Sequence, residues 1–316
     1  MTYNILMIAA ALGLLFVGAE GLVRGSASLA VRAGLSPLLA GLTIVAFGTS
    51  SPELVVSIRA ALAGQGDISV GNVVGSNVLN IGLILGLTAL ICPIPVHRQI
   101  IKIDAPIALG VAVLLPLLLL DKSLSRLEGS LLTAGIVAYT AMNAWLARRQ
   151  PALPEAQPSE DLGVPPVSRH YLLDLLFVAA GLATLVFGSR LLVDHSVVLA
   201  KTFGVSEAVI GLTIVAAGTS MPELATSLVA AIRRQPDIAV GNVVGSNVFN
   251  LLGIMGVTSL TAPLHAPGIS MLDYAAMVLF SILLLPLLYT GRILHRVEGA
   301  ILVGFYGLYV FVLWPK

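Results

Sequence analysis

Residues 41–80 read GLTIVAFGTSSPELVVSIRAALAGQGDISVGNVVGSNVLN, and residues 211–250 read GLTIVAAGTSMPELATSLVAAIRRQPDIAVGNVVGSNVFN. At a constant offset of 170 residues and without a gap, 28 of these 40 positions are identical by direct count. Self-similarity at a fixed offset marks a duplicated unit. Weaker matches carry the same offset beyond the block: Gly18 with Gly188, Pro116 with Pro286, and Arg126-x-Glu128 with Arg296-x-Glu298. The chain is therefore built as two homologous halves.

Composition says where those halves reside. Of the 316 residues 57% are hydrophobic and 10% charged, with a mean hydropathy of +0.99. Soluble domains carry about 25% charged residues, so the bilayer is the natural solvent. A spanning helix needs about 20 mostly apolar residues. Ten segments qualify: 4–24, 37–63, 68–92, 104–121, 125–147, 171–198, 207–232, 238–262, 271–290 and 296–314. Residues 148–169 break the pattern with Pro151, Pro154, Pro158, Pro165 and Pro166 among acidic residues, and read as a short polar linker. The expected fold is an all-α polytopic membrane protein of ten transmembrane helices. Its parts are a first five-helix repeat (1–147), a cytoplasmic linker (148–169) and a second five-helix repeat (170–316).

Five is odd, so the second half enters the membrane from the opposite side, the inverted-topology repeat of secondary transporters. No Lys or Arg precedes the first apolar run, and Arg24 and Arg32 follow it. These flanks fit a first membrane helix with its N-terminus outside, not a cleaved leader. With that orientation eleven Lys and Arg residues fall on inner connections and six on outer ones. Positive charge collects inside, so a multi-pass protein of the cell (plasma or inner) membrane is expected, with both termini extracytoplasmic.

The decisive polar residues are Glu53 and Glu223, each in a GTSxPE sequence deep inside an apolar segment. An ionised side chain at that depth costs about 2.5–3.5 kcal/mol on insertion scales and persists where it faces a cation, a partner or water. No Lys or Arg recurs beside both glutamates. Pro52 and Pro222 remove amide donors, freeing carbonyls about one turn back. Carbonyls of Ala46, Thr49, Ala216 and Thr219 then join the hydroxyls of Ser50 and Ser220 as candidate oxygens for a hard cation. In GNVVGSNVxN, Ser76 and Asn80 lie at i and i+4, as do Ser246 and Asn250, so each pair shares a helical face. The spacing of Gly71 with Gly75 and of Gly241 with Gly245 predicts close helix packing. Asn72, Asn77, Asn242 and Asn247 either bond across helices or serve the site; both readings stand.

Other polar residues read as local structure. Asp67 and Asp237 are expected as N-caps, and Ser125 with Glu128 has capping-box spacing. Glu20 with Arg24, and Arg190 with Asp194, are i,i+4 pairs. The five histidines show no ligand spacing, and Cys92 stands alone. Phosphate-loop, dinucleotide and nucleophile–base motifs are absent, so no enzyme and no cofactor is expected. A net charge of +1 gives no sign of a nucleic-acid partner; the partners expected are metal cations and the lipid bilayer, with no obligate protein partner evident.

The paired GTSxPE and GNxxGSN blocks resemble the alpha repeats of the calcium/cation antiporter superfamily, in particular its prokaryotic sodium/calcium exchangers. The resemblance spans the whole length. It implies three sodium sites and one overlapping calcium site between the second, third, seventh and eighth helices. By position it points to Ala46, Thr49, Ser50, Glu53, Ser76 and Asn80, and to Ala216, Thr219, Ser220, Glu223, Ser246 and Asn250. It also implies that the first and sixth helices slide against the bundle. The transported ions would be Na+ and Ca2+, exchanged by alternating access. One position departs: the similar prokaryotic exchangers carry an aspartate at Asn250, and potassium-dependent relatives are acidic there too. This argues against potassium dependence. Gly75 and Gly245 stand where the proton-coupled branch has a glutamate, which favours sodium. Beside this reading stand a proton-coupled or other-cation antiporter of the same fold, a cation channel, and a non-transporting scaffold.

Overall fold

A computed structural model describes residues 1–149, 170–203 and 216–313. Apart from the backbone of Arg148 and Arg149, the expected linker lies outside the described residues, as do residues 204–215, which include 207–215 of the expected seventh segment, the side chain of Ala216 and residues 314–316.

In lipid every backbone N–H and C=O must find a partner within the protein, so an apolar chain crosses as helices. They run in the order α1 (Thr2–Arg32), α2 (Pro37–Thr49), α3 (Ser51–Leu62), α4 (Gly66–Ile91), α5 (Ile100–Asp121) and α6 (Arg126–Arg149). After the linker come α7 (Tyr171–Thr202), α8 (Ala216–Thr219), α9 (Met221–Ile232), α10 (Pro236–Thr261), α11 (Met271–Tyr289) and α12 (Arg296–Leu313). Among the described residues eight of these are long and apolar enough to span, and α2 with α3, bent by 43°, makes a ninth. The shorter apolar α9 with α8 occupies the expected seventh segment. The chain is thus a mostly helical, polytopic membrane protein, compatible with ten crossings.

Burial sorts the helices. In α10 94% of the spanning window is buried and in α4 72%, against 39% or less in the other single-helix spans, so the two GNVVGSN helices form the centre. The outer helices present residues such as Phe16, Leu117, Leu172, Phe187 and Phe311 outward. At 31 and 32 residues, α1 and α7 outrun the expected segments 4–24 and 171–198. At 1.5 Å per residue they exceed the ~30 Å hydrocarbon core, so they tilt or protrude.

Four two-residue strands close the loops: β1 (Ile94–Pro95), β2 (Ser123–Leu124), β3 (Leu264–His265) and β4 (Ile293–Leu294). β1 and β2 lie at opposite ends of α5, and β3 and β4 at opposite ends of α11. The 170-residue offset maps β1 onto β3 and β2 onto β4. Yet β1 pairs with β4, Ile94 opposite Leu294, and β2 pairs with β3, Leu124 opposite Leu264. Each loop therefore shares its end of the bundle with the repeat counterpart of the loop at the other end, which requires inverted halves. The counterparts α1 and α7 accordingly run antiparallel: Gly25 lies against Asp174 while Gly188 lies against Leu14 and Leu15. At their crossing a Cβ on Gly181 would stand 2.6 Å from Leu22 N, so the backbones touch.

The local expectations fare unevenly. Ser125 and Glu128 form the capping box, with Ser125 N–H donating to Glu128 Oε2 (2.7 Å) and Glu128 N–H to Ser125 Oγ (3.3 Å). Glu20 meets Arg24 at 2.5 Å and also Arg233, beyond α9, at 2.7 Å. Arg190 and Asp194 do not pair among the described ion pairs. Asp67 and Asp237 are not N-caps: Gln65 and Gln235 hold those positions. Pro236 is pre-organised for the first helical position, which moves the aspartate into the first turn, where the helix dipole favours it. Asp67 Oδ1 instead accepts the Gly268 N–H at 2.7 Å, tying α4 to the loop before α11.

Candidate cation site

Both GTSxPE sequences break their helices at the serine. Ser50 (φ −82°, ψ 5°) separates α2 from α3, and Ser220 (φ −91°, ψ 9°) separates α8 from α9. Pro52 and Pro222 follow two residues later and supply no N–H to the carbonyl one turn back. In the second half that carbonyl, Gly218 O, accepts the hydroxyl of Ser189 from α7. In the first half Ala46 O accepts Ser50 N–H (3.1 Å) and Thr49 Oγ1 (3.4 Å). The breaks place Glu53 and Glu223 in the first turns of α3 and α9, each 1% exposed.

The two glutamates are joined crosswise. Ser50 Oγ donates to Glu223 Oε1 at 2.9 Å, and Ser220 Oγ donates to Glu53 Oε1 at 2.9 Å. Ser220 Oγ also lies 3.3 Å from Ser76 Oγ on α4. Thr49 Oγ1 donates to Asn242 Oδ1 (3.0 Å), and Asn80 Nδ2 donates to Asn247 Oδ1 (3.0 Å). Hydrogen bonds between the halves thus tie in seven of the twelve expected site residues: Thr49, Ser50, Glu53, Ser76, Asn80, Ser220 and Glu223. Thr219 directly precedes Ser220 at the end of α8, and Ala216 begins that helix. Ser246 and Asn250 are fully buried on α10.

Among the described residues several buried polar atoms of this set have no hydrogen-bond partner: Glu53 Oε2, Glu223 Oε2, Asn80 Oδ1, Ser246 Oγ and both amide atoms of Asn250. A buried polar group left unsatisfied costs about 1–3 kcal/mol. Except for Asn250 Nδ2 these atoms are oxygens, and the crossed carboxylates add two formal negative charges. Calcium takes 6–8 oxygen ligands, and softer metals call for sulfur or imidazole. No group of three or more His, Cys, Asp or Glu residues suited to a metal occurs among the described residues. A set of carboxylate, hydroxyl and amide oxygens of this kind suits a hard cation.

Two features had no sequence signal, or a partial one. α4 widens into a π-helical turn over Asn80–Leu85 and α10 over Phe249–Ile254, both at the site asparagines. Such bulges concentrate at functional sites, yet no residue pattern announces them. Of the glycine packing expected in both halves, the second half shows it: a Cβ on Gly245 would stand 2.8 Å from Leu42 O, and one on Gly241 3.1 Å from Leu38 O, whereas Gly71 and Gly75 meet no backbone this closely among the described residues. Asn72 and Asn242 bond across helices to the glutamate helices, as one of their two readings had it.

The sodium/calcium exchanger protein family model matches residues 3–145 and 173–314. Sodium/calcium exchanger MaX1 of Methanosarcina acetivorans is 32% identical over 347 aligned positions, covering 99% of each chain. Inner membrane protein YrbG of Escherichia coli is 37% identical over 284 positions, covering 86% of this chain and 85% of YrbG. Among solved structures, the sodium-calcium exchanger NCX_Mj, soaked with 2.5 mM Na+ and 0.1 mM Ca2+, superposes with a TM-score of 0.83 at 30% identity, covering 99% of each chain.

Proposed function

This chain belongs to the sodium/calcium exchanger protein family, and from that premise we propose that it is a secondary active antiporter that exchanges Na+ for Ca2+ by alternating access. The observation that carries the reading is the crossed pair Ser50–Glu223 and Ser220–Glu53, which sets two buried carboxylates at the seam of inverted halves, each with one oxygen unpartnered.

Charge balance supplies the coupling. Uncompensated charge in a low-dielectric cavity is costly. One Ca2+, or two Na+, neutralises Glu53 and Glu223. The empty site resists passage through an occluded state, which enforces exchange over leak. A third Na+ at the neutral oxygens of Ser76, Asn80, Ser246 and Asn250 makes each cycle move one net charge, a 3:1 stoichiometry. Ala46, Thr49, Ala216 and Thr219 contribute backbone oxygens in this scheme. Both termini face outside, following the positive-inside count.

The test is Ca2+ uptake into Na+-loaded proteoliposomes, with and without an outward Na+ gradient. Uptake that requires the gradient and rises with an inside-positive potential is the expected result. Uptake indifferent to Na+ but responsive to a pH gradient transfers the coupling to protons, and Ca2+ entry without any counter-ion makes the protein a channel.

A further inference from the structure

Asn72 and Asn242 open the two GNVVGSN blocks, yet neither belongs to the set of cation oxygens above. Asn72 Nδ2 donates to the backbone oxygen of Glu53 (3.2 Å) and to Ser57 Oγ (2.9 Å). Asn242 Nδ2 makes the same two bonds in the other half, to the backbone oxygen of Glu223 (3.3 Å) and to Ser227 Oγ (3.0 Å). Each amide reaches from a central helix to the first turn after a helix break and grips it at two points, the glutamate itself and the hydroxyl one turn on. Asn242 Oδ1 also accepts Thr49 Oγ1 (3.0 Å), so this one side chain holds the end of α2 and the start of α9, which belong to different halves.

We propose that Asn72 and Asn242 are positioning residues that fix how far apart the carboxylates of Glu53 and Glu223 stand, and that this spacing sets which divalent cation the site prefers. The proposal rests on the cation-exchange reading above. Its physical content is direct. Two buried carboxylates repel, and each sits on a helix start that the proline break has cut from the preceding turn. The break therefore removes the restraint that a continuous helix would give, and the asparagine amide restores it from outside. Selectivity among hard cations depends on cavity size, ligand number and the rigidity of the ligands. Partners that orient metal ligands typically change affinity by about 10–100-fold when removed.

The test uses the purified full-length chain in Na+-loaded proteoliposomes, comparing Ca2+ and Sr2+ uptake in wild type, Asn72→Ala, Asn242→Ala and Ser227→Ala. The expected result is a rise in the Ca2+ KM of about 10–100-fold in the asparagine variants, a smaller rise in Ser227→Ala, and a loss of preference between Ca2+ and Sr2+, with kcat at saturation less affected. A residue that only packs helices together would lower the yield of folded protein and leave both KM and the Ca2+/Sr2+ ratio unchanged, and that outcome overturns the proposal. Should Asn242→Ala fail to fold, the near-isosteric Asn242→Asp, which loses the same amide donors, and Ser227→Ala decide by the same ratio. If wild type shows no Na+-driven uptake, the exchange reading fails separately. Calorimetric titration of detergent-solubilised wild type and Asn242→Ala with Ca2+ and Sr2+ then decides the positioning role, which equal Kd ratios would sink.

Discussion

Ser50 Oγ, from the first half, donates 2.9 Å to Glu223 Oε1, in the second. The bond and its counterpart from Ser220 to Glu53 hold one oxygen of each carboxylate and leave the other without a hydrogen-bond partner among the described residues. A hydrogen bond to a charged group contributes about 1.5–3 kcal/mol. Ser50→Ala and Ser220→Ala are each expected to raise the half-saturating Ca2+ concentration by about tenfold or more, a factor equal to 1.4 kcal/mol. Because each serine makes a 2.9 Å bond to the glutamate of the other half, both variants should shift it in the same direction. Initial-rate uptake measurements on matched liposomes check this.

Single Glu53→Gln and Glu223→Gln variants are expected to abolish Ca2+ transport. Either one halves the charge that a divalent ion must meet, while preserving side-chain shape. Residual sodium-dependent Ca2+ uptake near the wild-type rate in both variants would defeat the charge-balance mechanism.

Gly181→Val should destabilise the protein. Its Cβ would stand 2.6 Å from Leu22 N and 2.8 Å from Gly18 O, which are backbone atoms unable to swing aside. Overpacking of this kind costs about 1–3 kcal/mol. A lower melting temperature in detergent, together with reduced exchange, is the expected outcome.

The two ion pairs that reach α1 are expected to differ in weight. Arg32 meets Asp174 with 31% and 2% side-chain exposure, whereas Arg233 meets Glu20 with 46% and 16%. Removing Arg32 strands the buried charge of Asp174, which costs more than losing an exposed pair, worth about 0–1 kcal/mol. Arg32→Gln should therefore lower the melting temperature clearly, and Arg233→Gln barely.

Much of this was legible in the repeat. Two blocks with 28 of 40 positions identical favour the same local structure, so the disruption ahead of Pro52 and Pro222, the burial of both glutamates and the helical faces of Ser76 with Asn80 and Ser246 with Asn250 were legible in the sequence. The crossed serine–glutamate bonds were not, because they join residues more than 160 positions apart and depend on how inverted halves dock. Also hidden was the cluster around buried Asp104, which accepts from Tyr139 (2.9 Å), Asn143 (3.3 Å) and Gln99 (3.2 Å). Its members carry no motif, and they meet only through side chains that reach between α6 and the start of α5. The misplaced N-caps have a simpler cause: an aspartate favours both the cap and the first turn, and spacing alone does not separate the two.

The exchanged strand pairs bear on how such a chain is made. Ile94 and Leu294 meet across 200 positions, and Leu124 waits for Leu264. Helices leave the ribosome in order, so the loop after α5 waits for β3, and the loop before α5 waits until α11 and β4 have emerged. Final closure is then a late event with long-range contacts, of the kind that slows folding. Neither half can seal its own loops, but each carries what the other lacks. Inversion of the repeat thus makes the closing of each half's loops a task of the other half's strands.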